Sequence, residues 1–129
     1  METEITFPGG LAVEAQFGGF TVRTDQPADA GGGDTAPNPL HLFFASIGTC
    51  AGFYALRFCQ ARKIDTQGLG LTLRVEREGE HGRVAAVRIE VRLPPGFPDK
   101  YRAAIVRAVD GCTVKRTIAD PPRFEIAVA

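Results

Sequence analysis

From Leu40 to Cys59 the chain is almost wholly apolar, and its polar residues are few: His41, Ser46, Thr49 and Arg57. A helix start stands just before it, because Asn38 can cap and Pro39 suits the first helical position. Arg62 and Lys63 place positive charge at the far end, which marks a stop near Arg62. A helix this apolar on all sides must be buried on most of them. Either sheets wrap around it or a second chain covers it. The longest apolar run inside it, Leu42 to Leu56, contains Ser46, Gly48, Thr49 and Gly52. That run falls short of the roughly 18 residues that argue a membrane span. The expectation is a core helix.

Around this helix the patterning is that of strands. Leu11 to Thr24 predicts a hairpin, with "LAVEAQF" alternating, Gly18 and Gly19 turning, and "FTVRT" returning. "DQPADAGGGDTAPNP" then predicts a long loop, mobile around Gly31 to Gly33. Leu69, Leu71, Leu73 and Val75 share one face of a second hairpin with Val87, Ile89, Val91 and Leu93, while Thr72, Arg74, Glu76, Arg88, Glu90 and Arg92 face water. After "PPGFP", Asp99 to Val109 predicts an amphipathic helix with Tyr101, Ile105 and Val109 near one stripe, stopped at Asp110-Gly111. A short helical turn is expected from Thr113 to Ile118, and a last strand from Phe124 to Val128. The fold class is α+β. At 129 residues a single domain spanning 1–129 is expected, large enough to need no disulfide staples.

Composition narrows the function classes. Lys plus Arg equals Asp plus Glu, 15 each, so no basic excess points to nucleic acid. The N-terminal "METEITFPGG" lacks the form of a signal peptide. Three cysteines in an unexported chain suggest a reducing, cytoplasmic setting, where any disulfide is transient. There is no Cys-x-x-Cys, and His41 and His81 form no pair at ligand spacing, so neither a metal nor a cofactor is expected.

The cysteines are therefore the chemistry-bearing residues. Cys50 and Cys59 are nine positions apart, which at about 100° per residue puts them on opposite sides of the helix. They cannot pair, and Cys59 reads as packing. Cys112 follows the Asp110-Gly111 stop and opens the next helical turn, where N–H donors and the helix dipole favour a thiolate. On these local grounds Cys112, with Lys115 and Arg116 one turn on, has the lowest expected pKa.

"NPLHLFFASIGTC", Asn38 to Cys50, followed by "GCTVKRTI", Gly111 to Ile118, resembles the OsmC/Ohr family of osmotically induced and organic hydroperoxide resistance proteins, in its OsmC-like branch. The resemblance implies an intertwined homodimer with antiparallel sheets wrapped around central helices. It also implies a thiol peroxidase cycle, with Cys50 as the peroxidatic thiolate, Cys112 as the resolving thiol and a dithiol as reductant. Phe43, Phe44, Phe53 and Tyr54 would suit an organic hydroperoxide. In the family's peroxidases a glutamate follows the helix-start proline and orients an arginine from the first N-terminal turn. Here Leu40 holds the glutamate's place, and the first arginine after Gly18-Gly19 is Arg23. A cation at Cys50 would have to be Arg23 or, two turns along the helix, Arg57. Without one, burial is expected to raise the Cys50 pKa. The alternative expectation is a non-catalytic dimer of the same fold that binds a small hydrophobic molecule, with passive or redox-sensitive thiols. Neither reading involves nucleic acid or membrane.

Overall fold

A computed structural model describes residues 1–129. It has α+β architecture, with two small antiparallel sheets and three helices, in two compact units, Met1–Ala45 and Ser46–Ala129.

The first unit is a meander of β1 (Glu4–Gly9), β2 (Ala12–Phe17) and β3 (Phe20–Thr24). The β2–β3 hairpin is the expected one. It closes on a two-residue turn at Gly18 and Gly19, whose φ values of 54° and 80° lie in the left-handed region that such turns require. Strand β1 falls on a segment where the sequence pattern predicts no strand. Its alternation is too weakly apolar to announce a strand, and pairing with β2 creates it.

The long loop that follows is organised rather than loose. Asp25, 3% exposed, accepts hydrogen bonds from the Gln26 amide (2.8 Å), the Thr35 amide (3.1 Å) and the Thr35 hydroxyl (2.7 Å). A 3₁₀ turn spans Ala28–Ala30, and Gly32 donates to the Pro27 carbonyl at 3.0 Å. A side chain at Gly32 would overlap the Gln26 carbonyl, so this position admits only glycine.

Helix α1 runs from Pro39 to Ala61, and the Asn38 side chain accepts from the His41 amide at 2.9 Å as the expected cap. At 23 residues it is longer than its apolar run, and by length and composition alone it could cross a membrane. In the second unit, however, Ala51, Ala55, Phe58 and Cys59 form one stripe at i, i+4, i+7 and i+8 and enter the core with Phe97, Ile105 and Val109. The helix is not buried on every side within one chain. Phe53 is 54% exposed and Leu56 38%.

Strands β4 (Gly70–Glu78) and β5 (Arg83–Arg92) pair as expected, with Leu71, Ile89, Val91 and Leu93 against the core and a ladder of Arg–Glu pairs on the wet face. The amphipathic helix begins as a 3₁₀ turn, Asp99–Tyr101, and continues as α2, Arg102–Asp110. Helix α3 spans Thr113–Ala119. The expected strand Phe124–Val128 does not form. No edge in the chain pairs with it, and Phe124 and Ile126 are 82% and 97% exposed. A strand's alternation is stabilised only when its backbone finds a ladder and one face finds a core, and here it has neither.

Candidate functional site

The site lies in the second unit, where α3 starts against the middle of α1. Helix α2 ends in a tight turn, with the Gly111 amide on the Arg107 carbonyl and the Cys112 amide on Val109. Cys112 then occupies the N-cap of α3 in a non-helical conformation, with φ −49° and ψ 127°. An N-cap leaves the first amides of its helix without intrahelical acceptors, and usually a side-chain oxygen takes one of them. Cys112 has no such oxygen. The acceptor comes from α1 instead. The amides of Val114 and Thr113, together with the Cys112 thiol, face the Cys50 sulfur and favour its thiolate.

This arrangement reverses both expectations about the thiols. Cys112 is 1% exposed, and burial pushes its pKa up. The Lys115 amide works against that, but the neighbouring Cys50 adds to the rise. Cys50 is half-buried, and burial alone would raise it too. The Val114 amide, the Cys112 thiol and the Thr113 amide outweigh burial and hold it below the ordinary thiol value. The helix-start donors act on both thiols, but at Cys112 burial and the neighbouring Cys50 outweigh them, whereas at Cys50 they prevail over burial. The groups that lower the Cys50 pKa are the Val114 and Thr113 amides and the Cys112 thiol. Arg57 is exposed on α1, and Arg23 ion-pairs with its cross-strand partner Glu14 at 3.5 Å.

Cys59 packs as expected. It is fully buried, and burial raises its pKa against a smaller opposing pull from Arg62, whose guanidinium lies 3.7 Å over the Phe58 ring. All three cysteines are free thiols. Tyr54, read from sequence as part of an apolar wall, also has a polar role, since its hydroxyl lies 2.8 Å from the Thr113 hydroxyl. The signal was available in the numbering, because Tyr54 is one helical turn from Cys50 and Thr113 is next to Cys112.

A partly exposed, amide-activated cysteine facing a second, buried thiol defines a two-cysteine redox-type centre on an α+β scaffold. The OsmC-like protein family profile matches residues 31–127 and takes in both cysteines, and the chain belongs to that family. Solved structures share the fold. An osmotic stress induced and detoxification response protein from Psychrobacter arcticus superposes with a TM-score of 0.75 at 21% identity, over 89% of this chain and 85% of that one. The organic hydroperoxide resistance protein OsmC from Legionella pneumophila gives 0.56 at 21% identity, over 92% and 89%. An organic hydroperoxide resistance protein from Vibrio cholerae, with captopril bound in one of its active sites, gives 0.58 at 17% identity, over 94% and 86%. No curated protein matches the sequence closely enough to count as a relative.

Proposed function

We propose that this protein is a thiol-dependent peroxidase that reduces organic hydroperoxides in the cytoplasm. The observation that carries this reading is the contact between Cys50 and Cys112, with α3 amides favouring the Cys50 thiolate. The Cys50 thiolate attacks the terminal oxygen of ROOH. The O–O bond breaks, Cys50 becomes the sulfenic acid, and the alkoxide leaves and is protonated to ROH. The Cys112 thiol then attacks the sulfenic sulfur, forming the Cys50–Cys112 disulfide and releasing water. A dithiol supplies the two electrons that return both thiols and is itself oxidised to a disulfide. Family membership and fold neighbours named for organic hydroperoxide resistance support a redox role.

The active form in this proposal is a homodimer. Exposed Phe53 and Leu56 on α1, and the unpaired Phe124–Val128 segment, are surfaces that a second copy would cover. Arg23 is, in this proposal, the cation that dimerisation brings to the substrate. A second reading, a dimer that binds a small hydrophobic molecule without turning it over, is favoured by Leu40, which is 41% exposed and apolar where the peroxidases carry a glutamate.

Steady-state consumption of cumene hydroperoxide with a panel of dithiols separates the two. Peroxidase activity predicts catalytic turnover with at least one dithiol, and turnover abolished in Cys50→Ser. No turnover with any dithiol, together with a hydrophobic compound retained through purification, would overturn the peroxidase reading.

A further inference from the structure

Helices α1 and α3 meet in two neighbouring rungs. In the first, the Cys50 sulfur faces the Cys112 thiol and the Val114 and Thr113 amides. In the second, one turn further along α1, the Tyr54 hydroxyl meets the Thr113 hydroxyl at 2.8 Å, and either group can donate. Residues i and i+4 lie on the same helix face, so both rungs belong to one seam.

Helix α3 has seven residues, and its N-cap Cys112 makes no side-chain capping hydrogen bond. The Thr117 hydroxyl bonds the Thr113 carbonyl within α3, at 2.9 Å, and Lys115 ion-pairs with Asp110 at the end of α2. Neither contact reaches α1. The Tyr54–Thr113 bond does, and it grips the residue whose own amide is one of the donors to Cys50. Amide donors are sensitive to angle and distance, so a small swing of the α3 start would uncouple them from the sulfur. The same swing would separate the two cysteines, which bridge only when their Cα atoms approach within about 7 Å. The groups acting on Cys50 are burial, two amides and the Cys112 thiol. Among the charged side chains on the two helices, Lys115 is paired, and Arg57 and Arg116 are exposed.

We propose that Tyr54 is a positioning residue for the reacting thiol: its hydroxyl fixes Thr113 so that the first amides of α3 stay aimed at Cys50 and Cys112 stays within reach. This rests on the reading of Cys50 as the attacking thiol, but it can be tested without peroxide.

The test is the pH profile of iodoacetamide alkylation of the full chain, followed residue by residue by mass spectrometry. Loss of one hydrogen bond of this kind corresponds to about a three- to tenfold effect. Tyr54→Phe should slow Cys50 alkylation at pH 7 by about that factor and move its profile to higher pH. Thr113→Val should do the same, Thr113→Ser should behave like wild type, and the double variant Tyr54→Phe/Thr113→Val should be no worse than either single change. An unchanged Cys50 profile in Tyr54→Phe overturns the proposal. So does faster alkylation of buried Cys59 in that variant, because it would show general loosening in place of a local effect. If wild type shows no peroxide turnover while Tyr54→Phe still shifts the Cys50 profile, the positioning role stands and the peroxidase reading fails.

Discussion

Two regions of this molecule use one physical device for different ends. At Asp25 a carboxylate gathers the amides of Gln26 and Thr35, and at Cys50 a sulfur gathers those of Val114 and Thr113. In both, backbone donors left over from a turn or a helix start converge on one side-chain acceptor. The outcomes differ because the acceptors differ. The Thr35 hydroxyl, together with the Thr35 and Gln26 amides, lowers the Asp25 pKa to about 2, so the carboxylate is ionised wherever the protein is folded and serves as a staple. A thiol starts from a far higher value, and donors of the same kind lower it and so favour the reactive thiolate. The carboxylate is sealed in its loop, whereas the sulfur stays half-exposed beside a second thiol.

That contrast predicts a double dissociation, and it carries the largest effects. Cys50→Ser should abolish peroxide turnover while leaving the melting temperature nearly unchanged, since serine keeps an acceptor for the α3 amides. Asp25→Ala should do the reverse, lowering the melting temperature with the rate per folded molecule unchanged. Comparable loss of activity in both would break the comparison. Gly32→Ala attacks the same staple through its backbone. The added methyl would overlap the Gln26 carbonyl, and the expected cost is about 2–3 kcal/mol in denaturant unfolding.

The pH dependence of the staple follows from the direction of the Asp25 shift. Its folded-state value of about 2 lies below the ordinary 3.8. Its stabilisation is therefore complete above about pH 4 and is lost as pH falls toward 2. The gap in melting temperature between wild type and Asp25→Ala should narrow over that window and stay constant above it. The smallest effect is expected on α1, away from either acceptor. A methyl added at Gly52 would sit 3.9 Å from Leu71, an ordinary contact, so Gly52→Ala should stabilise the helix by about 0.5–1 kcal/mol.

The parts of the fold legible in the sequence were those whose signals are local. The Asn38-Pro39 start, the Gly18-Gly19 turn and the alternation of β4 and β5 depend on neighbouring residues, and each formed as read. Strand β1 escaped notice because its pairing with β2 makes it, not its own pattern. The Phe124–Val128 segment shows the opposite case, an alternation with no edge to join. At the site, the two cysteines were legible but their order of acidity was not. Proximity to a helix start along the chain favours Cys112, but burial and the neighbouring Cys50 raise that thiol, and the α3 amides prevail only at Cys50. Asp25 gave no sign in a loop rich in glycine and proline, because its partners lie up to ten residues away.

The most direct test of the central claim is a thiol count by mass spectrometry before and after one equivalent of cumene hydroperoxide. A Cys50–Cys112 disulfide, with Cys59 still reduced, is the predicted result. Three unchanged thiols, or oxidation that spares Cys50, would contradict it.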